Sequence, residues 1–226
     1  SQSASVEQIQ QSTQAEAMQL ALLKKMPSFG FENLIADWTF LSFLQYFGDV
    51  SAREKTDYRL STDFFEVILD RDPYFIPAYT FLSTSGSIYA GAPERSTAIM
   101  KKALSTLKPS VPPDSFFAWR QLAIDQLLFL GDSQAAKESF ETAAAWARQS
   151  LLPGSGDIAA SSQQTANFLA NNPDSKIAQA SSWTMVLSSA PDERTRKTAA
   201  QRIESLGGKV ILNPDGTFRI QLPPKD

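Results

Sequence analysis

The chain has 226 residues, 42% of them hydrophobic, a net charge of −3, and neither cysteine nor histidine. Length and apolar content suffice for a real core, while the missing residue types exclude disulfides, thiolate and imidazole chemistry and most zinc, copper and haem ligation. Without a basic excess the chain is no match for a phosphate backbone, so nucleic acid is not an expected partner.

Ser1 to Ser5 is small and polar with nothing to bury, and residues 1–12 are expected to be a flexible lead. A helix is expected to firm up over Thr13 to Lys25 and to break at Pro27, Ser28 and Gly30. In the next helix, Glu32 to Phe47, a stripe of Leu34, Trp38, Leu41, Leu44 and Gln45 is widened by Ile35, Phe40, Phe43 and Phe47, the pattern of a helix buried on more than one side. The longest apolar stretch, Trp38 to Phe47, is interrupted by Thr39, Ser42 and Gln45. It is about half the roughly 20 residues a bilayer-crossing helix needs, so no transmembrane segment is expected.

A helix over Leu60 to Asp70 presents Phe64, Phe65, Ile68 and Leu69 and stops at Asp72-Pro73, because proline disfavours the helical conformation in the residue before it. Helix Phe75 to Ala90 follows, with Gly86 permitting close approach and Gly91 termination. Pro93 opens another helix through Leu107, and Pro109, Pro112 and Pro113 mark a connection. Helices Ser115 to Leu130 and Ser133 to Ser150, joined by Gly131-Asp132, make the cleanest pair. Pro153-Gly154-Ser155-Gly156 reads as a linker, after which aromatics thin out. Helices near Ile158 to Ala170, Asp174 to Ser189 and Pro191 to Leu206 retain sound start signals.

The tail changes period. Lys209 to Leu212 and Thr217 to Leu222 alternate around Asn213-Pro214-Asp215-Gly216, a hairpin signature whose apolar face, Val210, Leu212, Phe218 and Ile220, needs cover.

Across these helices a bulky aromatic, Leu three residues on, and a small residue recur: Trp38/Leu41/Ser42, Tyr79/Leu82/Ser83 and Trp119/Leu122/Ala123, at steps of 41 and 40 residues. Such a period signals stacked helical pairs. The pattern resembles the tetratricopeptide repeat, with Leu130-Gly131-Asp132, Ala136, Phe140 and Ala143 the fullest match. It is also similar to a loosely defined bacterial tetratricopeptide-like group, on Ala36-Asp37-Trp38, Gln45-Tyr46-Phe47-Gly48 and Asp72-Pro73-Tyr74-Phe75. The resemblance implies an all-α solenoid of antiparallel helix pairs over residues 13–206, closed by a C-terminal β-hairpin at 207–226. It implies binding rather than catalysis and transfers no catalytic residue.

Candidate chemistry is sparse. Asp63, Glu66 and Asp70 share a helical face and Asp72 follows, but a solvated face opposite Phe64 and Phe65 explains them as well. Ser105 and Lys108 match a Ser-x-x-Lys pattern, yet no Lys-Thr-Gly follows and Lys197-Thr198-Ala199 lies in a helix. Asp132 and Asp157 sit in no oxygen-rich calcium loop. Arg194, Arg196, Lys197, Arg202 and Lys209 form a basic cluster diluted by Glu193 and Glu204.

The expectation is therefore a non-enzymatic scaffold or assembly factor, without cofactor or metal, holding a protein subunit of a larger, possibly membrane-associated complex. If tetratricopeptide geometry holds, its concave surface would be lined by Thr39, Phe43, Tyr46, Thr80, Thr84, Ser87, Arg120 and Ile124. A hydrolase or transferase using carboxylates or Ser105/Lys108, and a peripheral membrane adaptor using the basic helix, are the alternatives. The processed-looking start and the lack of cysteine favour export, to a periplasm or thylakoid lumen, over the cytoplasm.

Overall fold

The computed structural model describes residues 5–226 and is an all-α fold with a small C-terminal β-hairpin. It divides into two compact units, residues 1–106 and 107–226, where the sequence suggests one helical domain over 13–206. The break falls beside the Pro109 to Pro113 connection.

In the first unit the helices are α1 (Val6–Lys25), α2 (Glu32–Gly48), α3 (Val50–Lys55), α4 (Ser61–Arg71), α5 (Pro77–Leu82) and α6 (Pro93–Leu104). α1 starts inside the segment expected to be flexible, because Ser5 and Gln8 close a capping box: the Ser5 hydroxyl accepts from Gln8 N at 3.2 Å and the Gln8 side chain accepts from Ser5 N at 3.0 Å. The described lead is thus ordered from its first turn. α5 passes directly into a π-helical stretch, Ser83–Tyr89, where a single regular helix to Ala90 is expected from sequence. Gly86 sits within it. A Cβ there would meet Ser96 Oγ at 2.5 Å and Thr62 Cγ2 at 3.2 Å, so the missing side chain lets α4 and α6 close on this turn.

Aromatic rings fill this unit's core. Phe43 of α2 meets Phe65 edge-on at 4.5 Å and Phe64 at 5.8 Å between centroids, and Phe40 meets Phe75 at 5.0 Å and Phe81 at 5.3 Å. These offset and edge contacts are the favoured ring geometries. α4 is the hub, packed by α1, α2, α5 and α6. Its outer carboxylates are clasped by bases from two sides: Lys24 of α1 reaches Glu66 at 2.5 Å, Arg95 of α6 reaches Asp63 at 2.6 Å and Glu66 at 2.8 Å, and Lys102 reaches Asp70 at 2.8 Å.

The second unit comprises α7 (Phe116–Leu128), α8 (Ser133–Gln149), α9 (Ser155–Asn171), α10 (Lys176–Ser189), α11 (Glu193–Ser205), β1 (Lys209–Leu212) and β2 (Phe218–Gln221). α9 begins within the expected linker: Gly154, at φ 81°, turns the chain and Ser155 is already helical. Here the core rests on small residues. Ala136, Ala166, Ala178 and Ala199 are fully buried around Phe140, Trp183 and Ile203, and where Cβ atoms replace rings the helices can approach closely.

The strands pair antiparallel in the register Lys209↔Gln221, Val210↔Ile220, Ile211↔Arg219 and Leu212↔Phe218. Gly216 takes φ 84° in the turn. Val210 and Ile220 pack against the α10/α11 core, but Leu212 and Phe218 remain exposed; only the half of the hairpin nearest α11 is covered. Gly208 is obligatory at its base, since a Cβ would lie 2.8 Å from both Gln221 O and Ile203 Cγ2. The Asp226 carboxylate accepts from Ser175 Oγ at 2.7 Å and Ile177 N at 3.0 Å, placing negative charge at the N-terminus of α10, where the helix dipole favours it.

Candidate functional site: the outer face of α2

α2 is apolar nearly all round, and its orientation is decided by which polar groups find partners inside. Thr39 donates from its hydroxyl to Ile35 O at 2.7 Å, a bond within its own helix, and so loses nothing by burial. The Tyr46 hydroxyl donates to Asp57 O at 3.2 Å and accepts from Leu60 N at 3.3 Å, and the Arg53 guanidinium lies 3.9 Å over its ring. Burial pushes the Tyr46 phenol above its ordinary pKa, against a smaller lowering by Arg53. Ala36, Thr39, Phe43 and Tyr46 are accordingly the core face.

Among the described residues of the first unit, none covers the opposite face. Leu34, Trp38 and Leu41 are 64%, 45% and 59% exposed, and Leu44 is exposed beside them. The sequence reading is thus inverted: the stripe expected to be core is outside, and the expected groove residues are inside. Thr39, Phe43, Tyr46, Thr84 and Ser87 are buried and Thr80 is partly buried in the first unit; Ile124 is buried in the core of the second. Together they do not line one open concave surface. Two of the set border clefts, Tyr46 one between α1, α2 and α3, and Arg120 one in the second unit.

The three repeat positions also differ. Tyr79 is 1% exposed and donates its hydroxyl to Pro73 O at 3.0 Å; Trp119 is partly buried with its ring edge-on to Trp146 at 5.7 Å; Trp38 faces outward. Equivalent niches in successive repeats are not what the structure holds.

Exposed apolar residues continue along the chain into α2. Met18 and Leu22 of α1, its C-cap Met26, and Phe29 and Phe31 of the connection are all exposed. Phe29, the most exposed of these, stands at φ 50°, a region that bulky residues avoid because of Cβ clashes. Arg71 holds this connection in place: it donates to Glu32 at 3.0 Å, to Leu23 O at 2.8 Å and to Met26 O, satisfying carbonyls at the end of α1. Hydrogen bonds from Ser28 and then Arg71 hold the Glu32 carboxyl below the usual carboxylate range.

The other sequence candidates are engaged elsewhere. Asp63, Glu66 and Asp70 form the ion pairs around α4, and burial raises Asp72, which accepts from Tyr74 N at 3.1 Å. Ser105 donates to Lys102 O at 2.6 Å. Asp132 caps α8 through Ala135 N at 3.0 Å. In the basic cluster, Arg196 pairs with Glu193 at 3.1 Å and Arg202 lies 5.9 Å from the Trp183 ring centre. Among the described residues no group of three or more carboxylates is placed to hold a metal ion, and no helix is long and apolar enough to cross a membrane.

No protein-family model matches the chain, and no curated protein and no solved structure is significantly similar to it.

Proposed function

We propose that this protein is a non-enzymatic scaffold or assembly factor that docks an amphipathic helix of a different protein on the outer face of α2. The observation that carries this is the uncovered row Leu34, Trp38, Leu41 and Leu44 on an otherwise firmly packed helix. Leu34 and Leu41 are seven residues apart with Trp38 between them and Leu44 three residues further on, a spacing that receives the anchors of a facing helix. Isolated surface leucines are ordinary, but contiguous apolar rows mark interaction sites.

Charge identifies the occupant further. α2 carries no basic residue, and of its two acids Glu32 is paired with Arg71 while Asp37 adjoins Trp38, so a second copy of α2 would offer Asp37 no cation. The complementary helix carries Lys or Arg beside its apolar row. The cysteine-free composition supports a place in an oxidising compartment, the periplasm or a thylakoid lumen, and finding the protein in the cytosolic fraction of its source cells would remove that part.

The test is site-specific photocrosslinking in source cells, with benzoylphenylalanine at Leu41 and, as control, at exposed Lys101 of α6. The expected result is an adduct at position 41 alone, mapping to a basic amphipathic helix and lost on adding Trp38→Glu. Equal yields at both positions, or adducts only to lipid or to the protein's own copy, would refute the proposal.

A further inference from the structure

The second unit contains a separate cleft of about 420 Å³, bounded by Arg120 of α7, by α9 and α10, and by β2 with Leu222 after it. Its walls are of two kinds. Phe168, Met185, Ile220 and Leu222 are apolar. Thr165, Thr184 and Ser188 each give their proton to a carbonyl of their own helix, at 3.0, 2.8 and 2.9 Å. These hydroxyls therefore need nothing from a ligand.

Arg120 does. It is partly buried, its guanidinium lies 5.0 Å from the centre of the Phe117 ring, and among the described residues it has no ion-pair or hydrogen-bond partner. No lining residue is a carboxylate. Burial, with no opposing charge, pulls its pKa down to about 10. A cation in this position normally has a counter-ion, because desolvating it uncompensated is unfavourable.

We propose that this cleft binds a monocarboxylate carrying an apolar chain, its carboxylate on Arg120 and its chain against Phe168, Met185 and Ile220. The planar guanidinium matches a carboxylate through two parallel hydrogen bonds. A single cation with apolar walls suits one negative charge on a hydrocarbon better than a phosphate dianion. The chemistry is shared by a free medium-chain fatty acid and by the C-terminus of a peptide ending in an apolar residue. This site lies in the second unit and does not depend on docking at α2.

The full chain is titrated calorimetrically with octanoate and octanol, and with acetyl-Ala-Ala-Leu as its free acid and its amide. At least one carboxylate should bind about tenfold or more tightly than its neutral counterpart, and the tighter of the two names the source. Arg120→Met should abolish that preference and Arg120→Lys restore part of it. Thr184→Asp, which places a carboxylate in the cleft, should abolish binding without touching Arg120, and keeps the test valid if Arg120→Met fails to fold. Neither carboxylate outbinding its neutral partner, or a preference surviving in folded Arg120→Met or in Thr184→Asp, would overturn the proposal.

Discussion

The two units are both helical but leave different needs unmet. The first is built on interlocking rings, and so many of its large side chains are apolar that an entire row of α2 has no interior left to enter. The second is built on alanines packed closely between helices, and what it leaves exposed to need is a charge, Arg120, in a cleft without an acid. The two proposals differ accordingly: an apolar helix for the first unit, a carboxylate for the second.

The largest expected effect breaks this comparison at the aromatic core. Phe43→Ala should cost about 3–5 kcal/mol in urea unfolding, since neighbouring rings cannot collapse into the space; Trp38→Ala, one helical face away, should stay within about 0.5 kcal/mol. Equal costs would mean that α2 is oriented as the sequence suggests. Next, Gly208→Ala should cost about 1–3 kcal/mol by forcing a methyl against Gln221 O and Ile203, with amide exchange in the hairpin rising first. A change confined to the first unit would contradict the assignment of the hairpin.

A smaller effect separates the units by pH. Burial tends to raise the Glu66 carboxyl, but hydrogen bonds from Lys24 and Arg95 outweigh it and hold the group below its ordinary value. A folded pKa below the unfolded one stabilises above the unfolded value, and that stabilisation is lost as pH falls through the folded value. Glu66→Gln should therefore lower the neutral plateau of thermal stability slightly, by less than about 1 kcal/mol because the pairs are partly exposed, and leave stability below about pH 4 unchanged, so that the acid limb is shallower. The smallest effect is at Arg120. Its depressed pKa means the unfolded chain holds the proton more tightly, so this group makes stability rise with pH above about 10. Arg120→Met should remove that rise, read by chemical denaturation between pH 9 and 11.

Helix positions were legible because their boundaries rest on local chemistry: Asp72-Pro73, Pro93, Gly131-Asp132 and the Asn213 to Gly216 turn all act where the sequence puts them. The facing of α2 was not. Leu34, Trp38, Leu41 and Leu44 form as regular a row as Ala36, Phe40, Phe43 and Phe47, and periodicity alone does not say which of two apolar rows is inside. The deciding facts, a self-satisfied Thr39 and a Tyr46 hydroxyl bonded to Asp57 and Leu60, are tertiary. The π stretch at Ser83–Tyr89 depends in the same way on Ser96 and Thr62 closing on Gly86. The expected repeat points to Arg120 by position alone; its lack of an acid partner is visible only in three dimensions.

The orientation of α2 is open to one direct measurement. In a variant retaining only Trp38, with Trp119, Trp146 and Trp183 replaced by phenylalanine, acrylamide should quench the half-exposed indole readily, and binding of the crosslinked helix as a synthetic peptide should shield it. A Trp38 emission that is blue-shifted and resists quenching in the isolated protein would contradict the account.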